Sequence, residues 1–249
     1  MAKRNETGQP PDHPHRRIFL KGSGATMAFA FVGIGTLNSI AYADALTKAQ
    51  RDRLSPDDIL ALMKKGNKRF YTGKREDQNF LAQQRASAKG QYPAAVLLTC
   101  IDSRAPAETI LDLRIGDIFN SRVAGNVENF DILGSMEFAC KLAGAKVILV
   151  MGHTACGAIK GAIDNAELGN LTGLLAKIRP AVVATTYTGE RTSKNYTFVD
   201  AVARKNVEMT ISNIRKDSPV LAEMESNGAI KIAGAMYNLE TGVVDFFAE

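Results

Sequence analysis

Two short segments of this sequence carry side chains suited to metal chemistry. Cys100-Ile101-Asp102-Ser103-Arg104 sets a thiol, a carboxylate and a guanidinium close together, and His153-Thr154-Ala155-Cys156 sets an imidazole and a thiol three residues apart. Two cysteines and one histidine are soft or borderline donors that suit zinc. Three such ligands leave the fourth tetrahedral position open, the pattern of a catalytic site, whereas structural zinc sites fill all four with protein groups. No further histidine or spare cysteine lies nearby to complete a structural set. Simpler readings stay open at this point. His153 and Cys156 can be core residues, Cys100 a strand-end packing thiol, and Asp102–Arg104 an ordinary loop salt bridge. A Cys100–Cys156 disulfide is a further reading, but it leaves Asp102 and Arg104 without a task.

The elements that must position these groups follow from hydrophobic pattern. Residues 94–99 (A-A-V-L-L-T) form a short, largely apolar run, as expected for a strand buried on both faces, and 117–123 and 146–151 (K-V-I-L-V-M) are further strand candidates. Cys100 and His153 therefore stand just past strand ends, where functional groups gather in open parallel sheets. The i, i+3 spacing of His153 and Cys156 falls at the start of a predicted helix over 155–165, so both side chains can face one point. A helix start also favours thiolate over thiol. Ser55-Pro56-Asp57-Asp58 combines an N-cap hydroxyl, Pro at the first helical position and acids against the dipole, and predicts a helix to about Tyr71. Helices are also expected over 79–88, 131–142, 171–179 and 198–216, with a closing strand pair at 229–237 and 243–247; 44–54 reads as a polar lead-in. Strands alternating with helices imply an α/β domain with a mostly parallel β-sheet core flanked by helices. No internal repeat or Pro/Ser-rich linker divides 44–249, which is read as one domain.

Composition narrows the partners. Of 249 residues, 45% are hydrophobic and 23% charged, ordinary values for a soluble globular chain. The formal charge is +5, and part of it sits in the first 43 residues, where Lys3, Arg4, Arg16, Arg17 and Lys21 outweigh Glu6 and Asp12. The remaining balance gives no reason to invoke nucleic acid, and the absence of Trp argues against a base-stacking platform. Three cysteines are a poor disulfide framework. Of the three histidines, His13 and His15 precede residue 44, so His153 is the one left beyond it.

Residues 1–43 read as an export signal. A charged stretch, His15-Arg16-Arg17-Ile18-Phe19-Leu20-Lys21, leads into a weakly apolar Gly/Ala/Thr-rich run that ends in Ala41-Tyr42-Ala43, a small-x-small cleavage pattern. Arg16-Arg17 with Phe19-Leu20-Lys21 resembles the bacterial twin-arginine signal, which implies handling by the twin-arginine translocation machinery and a periplasmic or otherwise exported protein. The alternative is an uncleaved anchor; the run is about long enough, but Gly33, Gly35, Thr36, Asn38 and Ser39 make it a weak one.

C-x-D-S-R followed some fifty residues later by G-H-x-x-C-G resembles the signature pair of the β-class carbonic anhydrases, over roughly 91–163 and more loosely to the C-terminus. The resemblance implies reversible hydration of carbon dioxide to bicarbonate, one zinc per chain on Cys100, His153 and Cys156, and an Asp102–Arg104 pair beside the metal. It also implies a homodimer or a higher even-numbered assembly. Asp102 is the possible alternative fourth ligand, a resting form known in some members. Gln91, nine residues before Cys100, matches a substrate-orienting glutamine of the plant-like branch, and Phe119 a pocket phenylalanine of that branch. Ala124 stands where a pocket valine is usual and Phe138 where a tyrosine is usual, which suggests a wider, less polar pocket. The same metal site would also serve an enzyme acting on an analogue such as carbonyl sulfide.

Overall fold

The computed structural model describes residues 45–248. The expected export signal over 1–43 lies outside the described residues. Five strands form one sheet in the order β2-β1-β3-β4-β5. β1 (Ala95–Thr99) is flanked in parallel by β2 (Ile118–Arg122) and β3 (Val147–His153), β3 pairs in parallel with β4 (Lys231–Tyr237), and β5 (Val244–Phe246) closes the edge antiparallel. The mostly parallel α/β architecture expected from the sequence is thus present.

β1 and β3 are buried throughout and apolar up to Thr99 and His153 at their carboxyl ends, because both of their faces are covered. Val96, Leu98, Ile148 and Val150 face one hydrophobic cluster, and Ala95, Leu97, Val147 and Leu149 face the other. Each large side chain buried there contributes about 1.5–3 kcal/mol, so the central strands form a stiff floor for whatever follows their carboxyl ends. On the second face lie α2 (Pro56–Tyr71) and α4 (Ala107–Ile110); the first face is covered by α5 (Phe130–Glu137), α6 (Gly157–Ile163), α7 (Gly169–Ala184) and α8 (Tyr196–Asp217). Gly66 lets α2 approach closely, since a Cβ there would fall 1.9 Å from the Leu111 carbonyl oxygen. α3 (Phe80–Ser87) and α9 (Pro219–Ser226) complete the helices, together with α1 (Lys48–Arg53). No helix among the described residues is long and apolar enough to cross a membrane.

Three expectations need correction, and one helix lies where the sequence reading places no element. The stretch read as a polar lead-in contains α1, which is closed by a capping box between Thr47 and Gln50 and tied down where Arg51 Nη1 donates to the Ala143 carbonyl (2.6 Å). The single helix expected over 131–142 instead changes at Phe138 into a π turn, Phe138–Leu142, in which Cys140 is buried and Phe138 half exposed. α6 begins at Gly157, two residues later than expected, because Ala155 adopts a left-handed φ of 54° and Cys156 is the N-cap. α9 was not anticipated, although Ser218-Pro219 repeats the Ser-Pro start of α2.

Candidate metal centre

Strand register explains how residues 53 positions apart meet. Thr99, the last residue of β1, is level with Met151 of β3, so Cys100 leaves the sheet beside the strand that ends in His153. Cys156 returns to the same point at the head of α6. Cys100, His153 and Cys156 are all buried, and their donor atoms lie within 4.8 Å of one another.

The donor set fits a zinc ion. The two Sγ atoms are 4.0 Å apart; tetrahedral zinc–sulfur bonds of about 2.3 Å would hold them roughly 3.8 Å apart. His153 Nδ1 is 2.9 Å from the Thr154 carbonyl oxygen, to which it can only donate. That contact fixes the tautomer and leaves the lone pair on Nε2. Nε2 is itself buried with no hydrogen-bond partner, an omission that would be costly unless another group engaged it. The contact with Cys156 pushes the Cys100 thiol down against burial, while the same contact and burial push Cys156 up. Zinc binds cysteine as thiolate, so its arrival releases the thiol protons.

Asp102 lies beside this cluster, with Oδ2 3.8 Å from His153 Nε2. Its carboxylate accepts from Arg104 three times: the backbone N–H and Nε reach Oδ1 at 2.9 Å each, and Nη2 reaches Oδ2 at 2.7 Å. The Arg104 guanidinium holds the carboxyl well below the usual range. Asp102, the candidate alternative fourth ligand, is therefore bound to Arg104 on both oxygens.

The expected pocket residues are more dispersed. Phe119 and Phe138 meet edge to face at 6.1 Å between centroids. With Val96, Ser121 and Phe130 they line a cavity of about 620 Å³. That cavity does not take in the three metal-ligand candidates. Ala124 opens the 3-10 turn Ala124–Asn126, next to Gly125, whose N–H points at Cys100 Sγ (3.4 Å). Gly125 has φ 70°, and a Cβ there would strike Ile178 Cδ1 at 2.5 Å, so glycine is required on both counts. Gln91 is exposed on the segment before β1.

Residues not singled out from the sequence hold the site's backbone. Arg122 Nε donates to the Cys100 carbonyl (2.9 Å) and its Nη2 to the Asp102 carbonyl (2.6 Å), clamping the first motif. Buried Asn206 donates to the Gly125 carbonyl (2.7 Å), and Asp200 accepts from Ala155 N–H (2.8 Å). Asn206 had a readable signal. It interrupts the apolar stripe Val199, Val202, Ala203, Val207, Ile211, Ile214 of α8, and a polar residue on a buried face must have a partner.

Comparison with known proteins places this geometry. Residues 95–244 match the family described as carbonic anhydrase. The chain is 33% identical to carbonic anhydrase 2 of Mycobacterium tuberculosis over 186 residues, covering 72% of this chain and 87% of that one. It is 31% identical to a carbonic anhydrase of Mycolicibacterium smegmatis, covering 74% and 89%. Among solved structures it resembles a β-carbonic anhydrase of Aspergillus fumigatus, with a TM-score of 0.59 and 30% identity over 66% of this chain and 81% of that one. It also resembles tetrameric β-carbonic anhydrases of Sordaria macrospora, with a TM-score of 0.57 and 25% identity over 65% and 84%.

Proposed function

Since the chain belongs to the carbonic anhydrase family, in its β class, we propose that it hydrates carbon dioxide reversibly with one zinc ion held by Cys100, His153 and Cys156. The observation that carries the zinc assignment is the convergence of two buried sulfurs and an unpartnered imidazole nitrogen on one point. When bound, zinc supplies the Lewis acidity that makes a water nucleophilic near neutral pH. Asp102, ionised and acceptor-only, would accept a hydrogen bond from the attacking water or hydroxide and so orient its lone pair toward the substrate carbon, without itself taking the proton. Arg104 keeps that carboxylate charged, oriented and away from the fourth coordination position. Phe119, Phe138, Ala124 and Gln91 are assigned to the substrate side on the resemblance to the plant-like branch; the Phe119–Phe138 contact is in keeping with an apolar approach for an apolar gas.

The chain is further proposed to act as an even-numbered homo-oligomer. Support comes from the tetrameric Sordaria relatives and from the exposed apolar residues Phe130 (90% exposed), Phe138 (50%) and Leu142 (76%) on α5 and its π turn. Export through the twin-arginine route to the periplasm rests on Arg16-Arg17 and Ala41-Tyr42-Ala43. A mature N-terminus far from Asp44 would contradict it.

Hydration must also return a proton to solvent. His153 is the sole histidine beyond residue 43, and its nitrogens are committed to Thr154 and the metal, so no imidazole is free to shuttle. Turnover at saturating carbon dioxide should therefore rise with buffer concentration, while the rate at low carbon dioxide changes little. Stopped-flow hydration of the purified protein checks this, with carbonyl sulfide as the comparison substrate. Buffer-independent turnover would reveal an internal carrier, and a preference for carbonyl sulfide would reassign the substrate.

A further inference from the structure

The turn between His153 and Cys156 is held unevenly. On the histidine side it is tied to the strand pair: Thr154 N–H donates to the Tyr237 carbonyl (2.9 Å), and Thr154 Oγ1 accepts from Leu239 N–H (3.0 Å). On the cysteine side the chain must pass through Ala155 at φ 54°, a left-handed conformation that costs a non-glycine residue free energy. The contact that holds Ala155 there is its N–H donated to Asp200 Oδ1 at 2.8 Å. Asp200 is anchored in turn, because it sits on α8 beside the buried residues Val199, Val202 and Ala203. Neither sequence motif includes it, and it lies 44 residues beyond Cys156.

We propose that Asp200 is a positioning residue for the metal centre: through Ala155 N–H it enforces the left-handed turn that sets Cys156 Sγ against His153 Nε2 before the metal arrives. This rests on the reading of Cys100, His153 and Cys156 as zinc ligands. Asp200 touches neither substrate nor metal, and acts through one backbone amide.

The test is zinc affinity, measured by competition with a chromophoric chelator on the full chain. Asp200→Ala removes the acceptor and should weaken zinc binding by about 10- to 100-fold, the usual range for an outer-shell partner. Asp200→Asn keeps an oxygen at the same position and should stay within a few-fold of the native chain. The discriminating variant is Asp200→Ala combined with Ala155→Gly. Glycine adopts positive φ without the steric cost, so most of the lost affinity should return if Asp200 works through Ala155. A role confined to the stability of α8 would not be rescued that way. Should Asp200→Ala alone not fold, Ala155→Val and Ala155→Gly give the same answer, because a β-branched side chain resists the left-handed turn: Val should weaken zinc and Gly should not. The proposal is overturned if Asp200→Ala binds zinc as tightly as the native chain, if neither Asp200→Asn nor Ala155→Gly restores what it loses, or if Ala155→Val leaves affinity untouched. A native chain that binds no zinc would instead overturn the ligand assignment, and this proposal with it.

Discussion

Cys100→Ala should leave a folded protein that neither retains zinc nor hydrates carbon dioxide above background. The fold should survive because Cys100 stands at the end of β1, past the apolar stretch Ala95–Leu98 that anchors the strand on both faces of the sheet. The metal should not survive. Structural zinc sites bind with about 10 kcal/mol or more; an energy of that order divided among three ligands is about 3 kcal/mol each, or more than a hundredfold in affinity. The loss also removes the sulfur of the pair that ionises more readily. In the native chain the Cys100 thiol is pushed down by its contact with Cys156, so alanine there leaves Cys156 as an isolated buried thiol, and burial favours the neutral form. The checks are zinc content by elemental analysis, a circular dichroism melt and stopped-flow hydration. A variant with native zinc content would remove Cys100 from the ligand set.

The second large effect concerns Asp102. Asp102→Asn keeps the size of the side chain but replaces an acceptor with an amide, and the fork of Arg104 that now engages both oxygens would face an NH2 group on one side. We expect kcat/KM to fall about 100-fold, the size of effect of removing one positioned hydrogen-bond partner of the reacting group, with zinc content unchanged. Arg104→Ala should lower the rate as well, for a different reason. It frees a carboxylate whose Oδ2 lies 3.8 Å from His153 Nε2, close enough to swing into the fourth coordination position. Its zinc should therefore be held as tightly as in the native chain or more tightly, while activity drops. Equal rates in both variants and the native enzyme would reduce the pair to a surface salt bridge.

The Cys100–His153–Cys156 cluster was legible because Cys100 and His153 fall at strand ends with Cys156 at the helix start that follows, and strand ends are set by short apolar runs that the sequence shows plainly. The parallel register of β1 and β3 then makes Cys100 and His153 neighbours despite their separation. The residues that hold the loops were not legible in the same way. Arg122 and Asp200 act on backbone groups, and nothing local to a polar residue on a half-exposed strand or helix reveals which carbonyl or amide it meets. α1 and α9 were missed for a different reason. Both are short and lack a long apolar period, yet their starts carried signals: the Thr47–Gln50 capping box and Ser218 before Pro219. The π turn after Glu137 has no sequence marker that separates it from an ordinary helix, since the periodic residues Met136, Ala139 and Cys140 are buried in either form.

The most direct measurement is carbon dioxide hydration by the native chain before and after zinc is withdrawn by a chelator and returned in measured steps. The ligand assignment requires activity to vanish with the metal and to recover in proportion to added zinc, reaching its plateau at one zinc per chain. Undiminished activity in a preparation shown to be metal-free, or a plateau that bears no relation to zinc bound at Cys100, His153 and Cys156, would contradict it.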